Sequence, residues 1–177
     1  MKDISIKQIT TIEKIEIPST VTKIENYAFC NCKSLTEANI PQTVKEIESS
    51  TFSGCISLSK MNIPFSVVSL VNHSFYNCKA LRQIYIPSVK KIGSYAFAQC
   101  PSLHEIEIDS PEIEIGKNAY NICQNVELLK NMTFIPKGMF KNCSLIVHLI
   151  LPSSLDAFVR IHSTNAIHKL KLSYQNQ

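Results

Sequence analysis

The sequence predicts a strand-dominated repeat solenoid, and three observations carry that prediction. The pair Ile-Pro recurs at Ile17-Pro18, Ile40-Pro41, Ile63-Pro64 and Ile86-Pro87, each 23 residues after the last, and Leu151-Pro152 closes a later copy. An aromatic residue stands three before a cysteine in six successive copies: Phe29 and Cys32, Phe52 and Cys55, Phe75 and Cys78, Phe97 and Cys100, Tyr120 and Cys123, Phe140 and Cys143. Apolar residues then follow the cysteines at +3, +6 and +8, with one polar exception, as in Leu35, Ala38 and Ile40 or Leu81, Ile84 and Ile86. A fixed period of this length is the signature of stacked supersecondary units.

Each element of the repeat has a physical reason. The alternation around Ile84, Tyr85 and Ile86 has the period of a strand, and the proline that follows ends it because it lacks a ladder donor. One strand per turn, stacked on its equivalent in the next turn, gives a long parallel sheet on one face, with turns and short extended or 3₁₀ pieces on the other. The inward set is the aromatic, the cysteine, the apolar +3, +6 and +8 positions, and a residue five before the aromatic: Ile24, Ile47, Leu70, Ile92, Ile115 and Ile135. The later copies supply Leu103, Ile106 and Ile108, then Val126, Leu129 and the polar Asn131, then Ile146, Leu149 and Leu151. No repeat buries its apolar side alone, so stability accumulates at interfaces between neighbours.

The chain of 177 residues reads as one domain, 1–177, with about six full repeats from 17 to 151. Partial copies at 1–17 and 151–172, carrying Ile12, Ile15 and Ile17 and then Ile167, Leu170 and Leu172, are expected to act as caps. A hydrophobic share of 45% supports a continuous core, and the 18% of charged residues is too low for a disordered or coiled-coil chain. The net charge of +4 is uneven: residues 1–116 carry 11 basic and 12 acidic residues, and 117–177 carry 7 and 2. With no run of five or more Lys and Arg, nucleic acid is not an expected partner. The first residues lack the apolar run of a secretory signal, and no stretch reaches the length of a membrane span.

Six of the seven cysteines occupy one repeat position, spaced 23, 23, 22, 23 and 20, which predicts a ladder of buried thiols rather than a disulfide framework. Cys30 lies outside that ladder and is the thiol expected to react. Cys30-Asn31-Cys32 is the one close cysteine pair, and His73, His104, His148, His162 and His168 show no ligand spacing, so no metal is expected. A uniform repeat with four glycines offers neither a phosphate loop nor a singular pocket for a nucleophile and base. No catalytic residue and no cofactor are predicted. Three sequons, at Asn72, Asn131 and Asn142, do not decide between compartments in a chain this rich in Asn, Ser and Thr.

The assembled unit, Ile-Pro-x2-Val-x2-Ile-x3-Ala-Phe-x2-Cys-x2-Leu-x2-Ile-x-Ile-Pro, resembles the BspA-like leucine-rich repeats over roughly residues 12–172. Its best copies run from Ile17 to Ile40 and from Ile86 to Ile108, with Ala28-Phe29 and Ala96-Phe97 in register. The resemblance implies a leucine-rich-repeat solenoid, α/β in class and strand-dominated, arc-shaped, with the parallel β-sheet on its concave face. It also implies kinship with proteins of host-associated bacteria and protozoan parasites, many of them surface adhesins.

Residues flanking the inward +6 position face outward on that sheet. They are Lys14 and Glu16; Glu37 and Asn39; Lys60 and Asn62; Gln83 and Tyr85; Glu105 and Glu107; Leu128 and Lys130; His148 and Ile150; Lys169 and Lys171. The predicted partner-binding set is Tyr85, Glu105, Glu107, Leu128, Lys130, His148, Ile150, Lys169 and Lys171, where exposed apolar residues sit among basic neighbours. The expected role is non-enzymatic binding of a protein partner by an intracellular module, cytoplasmic or nuclear. Some leucine-rich-repeat proteins regulate protein phosphatase-1, and Lys130 to Phe134 loosely resembles a docking motif of that enzyme's partners, with Met132 at a position read as inward. The alternative is an adhesin at the cell surface, and exposed solenoid ends would allow self-association.

Overall fold

The computed structural model describes residues 11–108 and 113–123, together with the backbone of the strands 125–128, 148–151 and 171–174. It is a parallel solenoid, and no helix occurs among the described residues. One strand per turn recurs at β1 (Lys14–Glu16), β2 (Glu37–Asn39), β4 (Lys60–Asn62), β6 (Gln83–Ile86), β8 (Glu105–Ile108), β10 (Asn125–Leu128), β11 (His148–Leu151) and β12 (Lys171–Tyr174). A second series, β3 (Glu46–Ile47), β5 (Ser69–Leu70), β7 (Lys91–Ile92) and β9 (Glu114–Ile115), pairs into its own four-stranded parallel sheet.

Register follows the repeat: Met61 lies opposite Ile84, which lies opposite Ile106, so chemically equivalent residues stack turn upon turn. The central inward residues Ala38, Met61, Ile84 and Ile106 are buried, as are Ile24, Ile47, Leu70 and Ile92. Ile15, Ile40 and Ile115 are only partly buried against this core. Val21, Val44, Val67 and Val89, which follow the Ile-Pro pairs, form a further inward row that strand alternation alone does not reveal.

The aromatic position makes the spine. Phe29, Phe52, Phe75, Phe97 and Tyr120 stack with ring centroids 5.2–5.4 Å apart and planes within 18° of parallel. That spacing is set by the separation of neighbouring strands, about 4.8 Å, slightly widened by ring thickness. Beside them Cys32, Cys55, Cys78, Cys100 and Cys123 are all buried free thiols; Cys143 lies outside the described residues. The thiols of Cys55, Cys78 and Cys100 donate to the carbonyls of Phe29, Phe52 and Phe75 in the preceding turn at 3.1–3.2 Å. Cysteine therefore serves as a small apolar filler that also carries a weak donor. Burial pushes the Cys55 and Cys78 thiols well above the ordinary range, which keeps them protonated.

Of the short extended or 3₁₀ pieces expected between the turns, the extended ones are present as β3, β5, β7 and β9, and no 3₁₀ piece occurs among the described residues; the turns themselves alternate right- and left-handed backbone. Tyr27, Ser50, His73, Tyr95 and Asn118 form one row with φ of 56–62°, and Asn31, Gly54, Asn77, Gln99 and Ile122 a second with φ of 60–76°. The alternation divides the donors between two directions. Ala28, Cys30 and Cys32 donate three residues back, to Glu25, Tyr27 and Phe29, whereas Tyr27, Phe29 and Asn31 donate to Ser49, Thr51 and Ser53 of the next turn. A helical turn would direct all its donors along its own axis; here every second N–H ties one turn to the next.

The long parallel sheet on one face is hydrogen-bonded in two parts. β4, β6, β8, β10, β11 and β12 form a six-stranded sheet, but β1 and β2 form a separate pair. Ile17 N–H donates to Asn39 C=O and Ile63 N–H to Tyr85 C=O, while the equivalent bond from Ile40 to Asn62 is not formed among the described residues. On the opposite side of the same turns the bonds from Phe29 to Thr51 and from Asn31 to Ser53 are intact at 2.9 and 2.7 Å. The ladder is open on one side only.

Candidate partner-binding surface

Strand alternation leaves two outward rows. The first runs through Lys14 and Glu37, then, past the open seam, Lys60, Gln83 and Glu105; the second through Glu16 and Asn39, then Asn62, Tyr85 and Glu107. Lys14 Nζ meets Glu37 at 2.9 Å, and the hydrogen bond and charge of that carboxylate hold the ammonium above its ordinary pKa. Both side chains are exposed, so the pair adds little to stability. Lys60 makes no ion pair among the described residues.

Tyr85 and Glu105 stand on adjacent strands, both half-buried, and Glu107 lies opposite Tyr85 in the register. Tyr85 is no isolated exposed ring: the exposed Phe65 meets it edge-on at 6.1 Å. Glu105 is flanked by His104 at 3.5 Å, whose Nδ1 lies 2.8 Å from the Ser102 carbonyl oxygen. His148 and Ile150 lie in β11 opposite Lys171 and Ser173 of β12, so the backbone brings His148 and Lys171 together. Lys130 and Lys169 lie outside the described residues, as does the 130–134 segment resembling a phosphatase docking motif.

At Leu128 the backbone register departs from the count along the repeat. The outward placement of Leu128 assumes that Leu129 aligns with Ile106, yet the register pairs Leu128 with Ile106 and Glu127 with Glu105. Glu127 stands four residues after Cys123, whereas Glu105 stands five after Cys100, so this turn is one residue shorter. The backbone register therefore sets Glu127, and not Leu128, opposite Glu105.

Sequence reasoning missed Phe65 and Gln42, which sit in the turn after each Ile-Pro. The available signal was substitution within the repeat: Ser19, Gln42 and Ser88 are polar where Phe65 is aromatic. Among the described residues no group of three or more His, Cys, Asp or Glu is placed to share a metal ion, and no helix is long and apolar enough to cross a membrane.

A parallel solenoid with one strand, one aromatic and one thiol per turn, and a variable outer row, defines a leucine-rich-repeat protein. The chain belongs to the family described as the BspA type leucine rich repeat region, whose six-copy model matches residues 4–127 and 91–172. Among solved structures it is similar to the T. pallidum leucine rich repeat protein, at 25% identity and a TM-score of 0.63, covering 77% of this chain and 68% of that one. A leucine-rich repeat protein from Bacteroides ovatus shares the fold at 20% identity and a TM-score of 0.53, covering 92% and 57% of the two chains. The pneumococcal vaccine antigen PcpA shares it at 15% identity and a TM-score of 0.63, covering 94% and 42%. The chain thus spans about half the length of the latter two. No curated protein matches it in sequence.

Proposed function

We propose that the chain binds a protein partner through the outer face of its long sheet and catalyses no reaction. One observation carries this reading. Inward positions stay apolar or aromatic in every described turn, whereas the outward rows change from Lys to Glu, Asn, Gln and Tyr on an unchanged backbone register. Variable side chains on a fixed scaffold are where specificity can be encoded. Family membership supports the same reading, since leucine-rich repeats commonly serve as interaction modules.

An intracellular location is proposed on the buried, unbridged thiols, which suit a reducing compartment. The second reading, a surface adhesin, is favoured by membership of the BspA type family. Imaging the protein in its own cell separates the two.

The binding test is a cross-linked pull-down from that cell, comparing two variants. Reversal of Lys130, Lys169 and Lys171 together with Tyr85→Ala is expected to abolish capture of the partner with an unchanged melting curve. Reversal of the exposed turn residues Lys33 and Lys79 is expected to leave capture intact. Loss of capture only in the second variant would show that the sheet face is scaffold.

A further inference from the structure

The open seam between β2 and β4 coincides with a cavity of about 510 Å³ on the outer side of the long sheet. Its polar wall is Asn39, Asn62, Gln83 and Lys60, and Phe65 and Tyr85 stand at its side. Three features of this wall point to one ligand chemistry.

The first is the main chain. Ile40 and Asn62 both line the cavity, and the bond that would join the Ile40 N–H to the Asn62 carbonyl is the one missing from the ladder. A donor and an acceptor left side by side are satisfied together by a hydroxyl, which both gives and receives a hydrogen bond. The second is the side-chain inventory. Carboxamides also give and receive, and among the described residues no carboxylate lines this cavity and Lys60 is its single cation. Nearby Lys14 is engaged by Glu37. The wall therefore suits a hydroxyl-rich molecule of little or no charge, and a phosphate group would meet only one ammonium. The third is Phe65, 62% exposed, in a turn position where other repeats carry Ser19, Gln42 and Ser88. An exposed aromatic beside a polar wall presents an apolar face to a ligand that is itself two-faced.

We propose that this cavity binds a saccharide unit of a glycan, with the C–H face of the ring against Phe65. The ring hydroxyls are held by Asn39, Asn62 and Gln83 and by the main-chain pair at the seam. A peptide added as a strand does not fit. It would have to separate β2 from β4 by a further strand spacing of about 4.8 Å, and the intact bonds from Phe29 to Thr51 and from Asn31 to Ser53 hold these turns together. Gln42 is partly committed, because its Oε1 accepts the Ser66 N–H at 3.2 Å; this fixes the turn that carries Phe65.

The cavity takes in the Asn39, Lys60, Asn62, Gln83 and Tyr85 stretch of the outward rows, while the C-terminal lysines of the proposed protein-binding face lie outside it. Saturation-transfer NMR on the full chain with maltotriose, chitotriose and 3′-sialyllactose, each at millimolar concentration, tests the proposal. Transfer to ring C–H protons of at least one saccharide is expected, and Phe65→Ser and Asn62→Ala should each weaken it about tenfold, the change for one lost contact of ordinary strength. Both side chains are exposed, so the melting curve should not move. Charge reversal of Lys171 should leave the saccharide signal unchanged, so the two readings fail separately. Absence of transfer from all three saccharides, or transfer that survives both substitutions, would overturn the proposal.

Discussion

Truncating Phe75 to alanine tests the stacking spine directly. The ring is fully buried and lies between Phe52 at 5.3 Å and Phe97 at 5.4 Å, so its loss leaves two neighbours facing a void. A buried Phe→Ala change costs about 3–5 kcal/mol, and removal of two stacked contacts, each about 0.5–1.5 kcal/mol, places this one near the upper end. Typical domains have a total stability of about 5–15 kcal/mol, so the variant should lose a large part of it. Neighbour-dependent stability also predicts where the loss appears. Amide exchange should accelerate at Phe52 and Phe97 as well as at position 75, because the Phe52 N–H is bonded to Ser74 and the Phe75 N–H to Ala96. Urea unfolding with residue-resolved hydrogen exchange reads both quantities. Phe75→Leu, which keeps most of the volume, should cost under about 1.5 kcal/mol. A loss below about 1 kcal/mol for Phe75→Ala, or faster exchange confined to its own turn, would refute the idea that the rings form a load-sharing column.

Ile122 is a β-branched residue at φ 70°, in the row otherwise filled by Asn31, Gly54, Asn77 and Gln99, so Ile122→Asn should raise stability by about 1 kcal/mol; an unchanged urea midpoint would count against the strain. Ser74 Oγ is buried without a hydrogen-bond partner where other turns have Ala28, Ala96 and Ala119, so Ser74→Ala should stabilise by about 1 kcal/mol, seen as a higher melting temperature. The buried thiols of Cys55 and Cys78 stay protonated in the fold, whereas unfolded thiols ionise near pH 8.5. The unfolded state therefore binds fewer protons above that pH, and stability, full below it, should fall as pH rises, by up to about 1.4 kcal/mol per pH unit for each thiol. Denaturation between pH 8 and 10 measures the slope, which Cys55→Ala and Cys78→Ala should each reduce.

The inward half of this molecule was legible because it is periodic. Phe29, Phe52, Phe75, Phe97 and Tyr120 are all aromatic and recur in one place, and spacing alone put them on a common axis. What spacing could not show is hydrogen bonding that depends on the hand of the backbone. Nothing in the residues Tyr27, His73 and Tyr95 signals a left-handed conformation, which usually favours Gly or Asn. That conformation is imposed by the stack, since it directs alternate N–H groups into the next turn. At Leu128 the register departs from the count for a related reason: counting from Cys123 assumes a constant turn length, and this turn is one residue shorter. Of the candidate surface, the sheet rows were readable from alternation, while Phe65 came from a turn whose direction no strand pattern defines.

The open seam shows how an irregularity inside reaches the outside. β4, β6 and β8 carry Met61, Ile84 and Ile106 at their centres; β2 carries Ala38, and the ladder opens between β2 and β4. A methyl group beneath the sheet supplies much less packing than the side chains of the following turns, so dispersion draws this strand less firmly onto its neighbour. The turns on the opposite side remain bonded, and the lost ladder is confined to the outer sheet as a cleft instead of separating the repeats. An unbroken parallel ladder exposes side chains above a main chain that is already satisfied. At this seam main-chain groups, carboxamides and an aromatic pair come within reach of one ligand, beside the strand whose central inward residue is alanine.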